Sequence, residues 1–478
     1  MGERAVRITD QQVTDHDGTD GERAVVVVVA VAAGIAAMSQ TLVVPLLGDL
    51  PALLGAGPAA TSWVVTAALL SGAVTSPVIG RLGDLHGKRL VLLVVLGLVT
   101  LGSLLCAVSW SLAPMVAGRA LQGLGMGVVP LGISLLREVI SPRRVGSAIA
   151  VTSSALGVGA AFGLPFAAAI AEVADWHLLF AGVGVLTAVI AVLVARLVTA
   201  APGPAEGRFD LVGAVTLSAG LTALLLVVSR GGEWGWTAPG TVGLLVGAAL
   251  ALAAWAGWER RVATPLIDLA TATRTPVLLT NTASVVVGFA MYAQILMVPQ
   301  LLQLPEATGH GLGFAMLAAG LLMAPAGAAM MAASAAAARI AAARGPKAAL
   351  LLGTVLMGLG YLVCLAALDS VAALVAGTVV TNAGVGFAYG SLPALIMRAV
   401  APSETGAANG FNTLMRSIGS AAAGAVVGAV FAAQGSTAAG GAHVPLRGAF
   451  VLVGVIGVVG SVAALAVSAL IPTVQAER

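Results

Sequence analysis

Charge is scarce in this chain, and the scarcity excludes more than any motif does. Of 478 residues only 9% are Asp, Glu, Lys or Arg, 59% are hydrophobic, and the mean hydropathy is +1.04. So few polar side chains cannot coat a water-soluble globule, which excludes a soluble enzyme and requires lipid around the fold. The net charge of +3 contains no long basic run, so a nucleic-acid partner has no electrostatic footprint. Cysteine is nearly absent. Cys106 and Cys364 sit in separate apolar runs about 260 residues apart, which implies packing and no disulfide framework. The five histidines, His16, His86, His177, His310 and His443, fall outside the apolar runs. No metal or cofactor site is expected, and no acid, base and nucleophile constellation lies within the membrane.

What is present is a series of long apolar runs. Residues 1–23 are polar, acid-rich and aperiodic, and they read as a disordered tail. Met1-Gly2 lacks the Ser or Thr at the sixth position that myristoylation needs, having Val6, and the late first run without a cleavage site does not resemble a signal peptide. A bilayer core about 30 Å thick takes about 20 helical residues to cross. Runs of that length occur at Ala24–Leu47, Trp63–Gly80, Leu90–Val108, Ala113–Leu136, Ser147–Ile170, Leu178–Ala195, Leu211–Ser229, Thr241–Trp258, Val277–Gln300, Phe314–Ala337, Ala348–Leu368, Val371–Met397, Gly406–Ala433 and Phe450–Ile471. They are spans 1 to 14.

The basic residues test this count, because cytoplasmic loops retain Lys and Arg. The termini and the alternate loops on their side hold 19 of the 23, the opposite loops hold Arg230 and Arg447, and Arg119 and Arg416 lie inside spans. A miscount would scatter the charges over both sides. Both termini are therefore expected in the cytoplasm.

Two stretches repeat. Val116-Ala117-Gly118 with Gly125 and Gly127 recurs as Val375-Ala376-Gly377 with Gly384 and Gly386. Pro142, Gly146, Ala148 and Gly159 recur as Pro402, Gly406, Ala408 and Gly419. Spans 4–5 thus match spans 12–13 in the same orientation, which implies two six-helix units separated by two extra helices, with substrate bound between the units. The expected divisions are a tail at 1–23, bundles at 24–197 and 276–471, an inserted pair at 198–275, and a short tail at 472–478.

The stretch after span 2 reads Gly80-Arg81-Leu82-Gly83-Asp84-Leu85-His86-Gly87-Lys88-Arg89. Its glycines permit a tight turn, Asp84 suits a helix N-terminus or an arginine, and Lys88 and Arg89 hold the turn at the cytoplasmic face. It falls a residue short of a phosphate-binding loop and has Arg89 where such a loop has Ser or Thr, so no nucleotide is expected. The stretch closely resembles the signature loop of the major facilitator superfamily, departing at Leu85, where a basic residue is usual. The resemblance implies an all-α integral membrane protein of the major facilitator fold, with Gly80, Gly83, Asp84, Gly87, Lys88 and Arg89 latching the outward-facing state.

Further stretches carry the resemblance to the fourteen-helix drug:proton antiporter family. Arg119 and Gln122-Gly123 in span 4 resemble the family's buried arginine, which implies a part in proton coupling; a charge at that depth is a functional candidate on physical grounds too. Gly159, Gly163 and Pro165 in span 5 give a small-residue face and a bend, resembling the antiporter motif, although Leu164 splits its Gly-Pro pair and Ala167-Ala168 replace its closing glycines. Asp175-Trp176-His177, Arg208-Phe209-Asp210, Trp234-Gly235-Trp236, Pro265-Leu266-Ile267-Asp268 and Arg416-Ser417-Ile418-Gly419 also match.

Polar residues inside apolar spans are candidates to line the substrate cavity: Gln40, Gln122, Asn281, Tyr292, Gln294, Asn382, Tyr389, Asn412 and Arg416. Each could equally serve as an interhelical hydrogen bond. Most fourteen-helix relatives carry an Asp in span 1 where this chain has Ser39, and no Asp or Glu lies within any span. A coupling carboxylate is therefore sought at a helix end, with Asp49 and Glu172 the first candidates. The resulting expectation is a monomeric transporter of the cell membrane, exporting small amphiphilic molecules with protons. An importer or facilitator on the same fold stays open because the span 5 motif is disturbed. A membrane subunit of a proton-pumping complex is disfavoured, since it needs Lys and Glu at membrane depth.

Overall fold

The computed structural model describes residues 2–43, 46, 50–199, 207–437 and 443–472. Side chains are described throughout these except at 2–20, 58–59, 160–162, 164–165, 168, 171–173, 233, 316, 436–437 and 443. Fourteen long helical stretches run through it: α1 Gly2–Thr41, α2 Trp63–His86, α3 Lys88–Ala107, α4 Leu112–Val139, α5 Pro142–Val173, α6 His177–Leu197, α7 Leu211–Trp234, α8 Pro239–Glu259, α9 Thr275–Gln303, α10 Met316–Arg344, α11 Pro346–Ala366, α12 Val371–Ala399, α13 Thr405–Ala433 and α14 Arg447–Leu470. Among the described residues thirteen helices are long and apolar enough to cross a membrane. The further long helix, α5, coincides with span 5.

The backbone of α1 is helical from Gly2 onward. One expectation needs correction: the stretch after span 2 is not a loop. α2 continues through His86, and a single residue, Gly87 at φ 91°, turns the chain before α3 begins at Lys88. The segments 473–478, most of the expected C-terminal tail, and Asp49 lie outside the described residues.

The duplication read in the sequence extends into three dimensions. In the first bundle α1 packs on α5 and α6, α2 on α4, and α3 on α4 and α6. The second repeats this as α9 on α13 and α14, α10 on α12, and α11 on α12 and α14. Small residues allow the close approaches: a Cβ on Gly159 would strike the Gly34 carbonyl of α1, and one on Gly419 the Val285 carbonyl of α9. Details recur as well. Arg89 donates to the Ala195 carbonyl at the end of α6 (2.5 Å), and Lys347 to the Ala469 carbonyl at the end of α14 (2.7 Å). Cys106 and Cys364 are both buried and free, each with its thiol near a carbonyl of the next helix, Met115 and Leu374.

The bundles meet along two seams, α2 against α13 and α5 against α10. The inserted pair is attached to the first seam. α7 contributes Leu217, Leu221 and Leu225 to an apolar cluster with Val74 of α2 and Leu414 of α13. α8 packs on α7. The pair is tied down by two buried acidic residues at helix ends: Asp210 caps α7 through Gly213 N and accepts from Trp258 Nε1, and Glu259 accepts from Ile267 N. A short hairpin, Gly435–Thr437 against His443–Pro445, lies between α13 and α14.

Candidate functional site: a latch and a central cavity between two bundles

At the arginine-rich end of the α2–α13 seam the two helices almost touch. A Cβ on Gly80 would strike the Gly406 carbonyl, and one on Gly410 would lie 2.5 Å from the Ser76 carbonyl beside Pro77. This approach brings Asp84, only 4% exposed, to the first turn of α13. Its carboxylate accepts from Gly406 N at 3.1 Å and from Ala407 N at 2.8 Å. Those amides are unpaired within their own helix, and the helix N-terminus carries partial positive charge, so a carboxylate is the group that fits there. Lys88, one turn on across Gly87, lies 3.1 Å from Asp84 and also pairs with Glu138 at the end of α4. Two carboxylates thus share one ammonium, and the N-terminus of α13 balances much of the remaining charge. Gly83 is held against Leu131 of α4, where a Cβ would clash.

Other hydrogen bonds join the halves on the same side of the molecule: Ser154 Oγ to the Met331 carbonyl (3.0 Å), Ser334 Oγ to the Ala150 carbonyl (3.2 Å), Ser153 Oγ to the Tyr389 carbonyl (3.3 Å) and Asn409 Nδ2 to Ser134 Oγ (3.4 Å). Beyond this closure lies a central cavity of about 10 Å³, room for a single water in this state. Tyr389, Asn412 and Arg416 line it, as do Asn409, Thr413 and Ser153. Arg416 lies over the Tyr389 ring, 4.5 Å from its centroid. Asn412 donates to Asn281 Oδ1 (2.8 Å) and Ser284 Oγ (2.7 Å), which ties α13 to α9.

The remaining candidates separate by location. Arg119 is 1% exposed and enclosed by neutral acceptors: the Val64 carbonyl (3.1 Å), the Ser39 carbonyl (2.8 Å) and Gln122 Oε1 (2.8 Å). Gln122 in turn donates to Ser103 Oγ, so the pair belongs to the interior of the first bundle. Gln294 of α9 lies in the interior of the second bundle, donating to Thr381 Oγ1 of α12 at 2.9 Å. Asn382 donates to the Thr378 carbonyl of its own helix. Tyr292 is half-buried beside Gly424, and Gln40 is half-buried with both amide atoms lacking a partner among the described residues. Asn281 borders a second cavity of about 230 Å³, walled by Arg81, the 263–272 connection and the first turn of α13. Gly159 and Gly163 face α1, Gly163 against Thr41 and Met38. The side chains of Pro165 and Glu172 lie outside those described. Sequence reasoning missed Glu138, whose signal was its place beside Arg137 at the end of span 4, and the buried Glu259; it named Asp210 only within a family match and not as a buried cap.

Two duplicated helical bundles in pseudo-symmetric contact, with a cavity between them and a carboxylate latch at one end, define a polytopic membrane carrier. The chain belongs to the Major Facilitator Superfamily, whose family model matches residues 29–423 and 280–477. Similar proteins include the probable actinorhodin transporter of Streptomyces coelicolor, 30% identical over 396 residues that cover 79% of this chain and 67% of that one. The multidrug resistance protein Stp of Mycobacterium tuberculosis is 27% identical over 390 residues, 81% of this chain and 72% of Stp. An uncharacterized MFS-type transporter of Mycobacterium tuberculosis, Rv1877, is 34% identical over 299 residues, 61% of this chain but only 43% of its own length. Among solved structures, the human organic anion transporter MFSD10 matches with a TM-score of 0.64 at 17% identity, covering 94% of this chain and 99% of that one. The proton:xylose symporter XylE matches with a TM-score of 0.63 at 14% identity over 93% and 95%. These structural matches speak to the fold. The chain is a membrane transporter on the major facilitator fold.

Proposed function

We propose that this transporter exports small amphiphilic molecules, drugs or natural products, in exchange for protons by alternating access, as a monomer in the cell membrane with both termini in the cytoplasm. Fourteen spans are assigned, as bundles at 24–197 and 276–471 about an inserted pair at 198–275. The observation that carries the reading is the closure of the arginine-rich face by the Asp84 latch, with that face as the cytoplasmic one. The state described is then the outward-facing partner of an inward-facing state in which α2 and α13 separate. The direction of export is supported by the names of the similar proteins, one a probable actinorhodin transporter and one a multidrug resistance protein.

Coupling is assigned to groups at helix ends. Ser39 keeps its hydroxyl on the Ala36 carbonyl and cannot titrate in the relevant range. Arg119 has only neutral hydrogen-bond partners. Asp49 and Glu172 therefore remain the proposed proton carriers. Everted membrane vesicles test the whole reading: uptake of a panel of dyes and antibiotics should follow energisation and collapse with a protonophore. Uptake confined to right-side-out vesicles reverses the direction. In proteoliposomes under an imposed pH gradient, Ser39→Ala should respond like the parent and Asp49→Asn or Glu172→Gln should respond weakly; parental responses from all three remove these carboxylates from coupling.

A further inference from the structure

The arginine in the central cavity has no acidic neighbour among the described residues. Arg416 lies eleven residues into α13, about 16 Å along its axis and close to the middle of a bilayer core. A guanidinium at that depth is costly unless water, an aromatic face or an opposite charge attends it. Its surroundings supply the Tyr389 ring and one hydrogen bond, from Nη2 to Thr413 Oγ1 at 3.3 Å. The Tyr389 hydroxyl is turned away onto Met291 Sδ (3.1 Å), so the ring offers its face. The wall opposite includes Val129, Ile133 and Leu156, and no Asp or Glu lines the cavity.

The contrast with Arg119 is instructive. That guanidinium is sealed by three acceptors inside one bundle, whereas Arg416 faces the space between the bundles. Two helical turns before it, on the same face of α13, Asn409 is 3% exposed and lines the same cavity. Its Nδ2 is committed to Ser134 Oγ and the Thr405 carbonyl, and its Oδ1 has no partner among the described residues. A buried amide oxygen left unpaired is costly, and a hydroxyl or N–H on a guest would satisfy it.

We propose that the substrates of this transporter are amphiphilic anions, molecules with a carboxylate, sulfonate or phenolate head and a flat apolar body. Arg416 pairs with the head, Asn409 Oδ1 accepts from a neighbouring donor, and the aliphatic wall takes the body. The same fixed charge, with no carboxylate beside it, rejects lipophilic cations. The inference rests on the carrier reading above and names its substrate class.

Matched probes isolate the charge. Pyrenebutyrate, pyrenebutyramide and pyrenebutylammonium share one ring system and differ in the head group. Binding to the purified full chain in lipid nanodiscs, by equilibrium dialysis, should favour the butyrate over the amide by on the order of tenfold or more, and the ammonium least, as expected for a charge-assisted hydrogen bond. Arg416→Gln should erase that preference while leaving amide binding intact, and Arg416→Lys should keep part of it. Equal or tighter binding of the ammonium, no binding of any probe, or an equal loss of all three in Arg416→Gln overturns the assignment. Proteoliposome transport separates the two readings. Arg416-dependent binding of pyrenebutyrate without gradient-driven movement retains the anion site and rejects the carrier function; movement of the ammonium alone does the reverse.

Discussion

Replacing Asp84 by Asn should open the arginine-rich face of the protein. The carboxylate holds two backbone amides of α13, at 3.1 and 2.8 Å, from a position 4% exposed. Asparagine has the same shape but only one acceptor oxygen, and its NH₂ must point at one of the two N–H donors. One charge-assisted hydrogen bond is lost, worth about 1.5–3 kcal/mol, and the attraction to the helix N-terminus, about 0.3–2 kcal/mol, is lost with it. A net loss of about 2–3 kcal/mol shifts the closed-to-open ratio by roughly 30- to 150-fold. Spin labels on His86→Cys and Ser403→Cys report this directly, since both positions are exposed on opposite sides of the latch and the native Cys106 and Cys364 are buried. The parent should give one short distance, and Asp84→Asn should add a longer population. A distance distribution identical to the parent, in protein that is folded and inserted, refutes the reasoning.

Gly80→Val should open the same face, because its side chain meets the Gly406 carbonyl, whereas Gly146→Val, with nothing within 4 Å of its Cβ, should leave the label distances unchanged. Arg119→Met removes a donor from the Val64 and Ser39 carbonyls and leaves Gln122 Oε1 without its partner, at about 1–3 kcal/mol for that one orphaned acceptor, so the midpoint of thermal unfolding in detergent should fall and Arg119→Lys should restore part of it. The backbone N–H of His177 (2.9 Å), and then its ring (2.6 Å), hold the exposed Asp175 carboxyl below its ordinary value of 3.8. A lowered folded-state pKa stabilises above 3.8 and ceases to do so as pH falls through the folded value. Asp175→Asn should therefore unfold earlier than the parent at neutral pH, and the gap should close in acid below 3.8.

The spans were legible because lipid imposes one simple demand, a run of apolar residues of fixed length, and this chain has little else. The latch was legible in half. Asp84 stood out in its glycine-rich stretch, but its partners lie 322 and 323 residues away, and no local pattern names them. The helical course of Arg81–His86 was hidden by the same glycines, which read as loop formers although only Gly87 takes a positive φ. Polar residues in the spans looked alike in one dimension. Gln122 and Gln294 turn into the bundles toward Ser103 and Thr381, while Asn412 and Arg416 turn toward the central cavity, and the difference is a rotation about the helix axis that depends on which face each neighbour covers. Glu259 escaped notice, and Asp210 stood out only as part of a family match, because both sit just beyond the apolar runs, where acidic residues are ordinary; only tertiary contact makes them buried.

The inserted pair breaks a symmetry that the duplication would otherwise enforce. α7 leans on both α2 and α13, so it roofs one of the two seams along which the bundles separate. At the other seam, α5 and α10 meet with no added helix across them among the described residues. A molecule dissolved in the membrane therefore finds the two sides of the carrier unequal: one doorway is walled by α7, and sideways passage between lipid and cavity is left to the α5–α10 side.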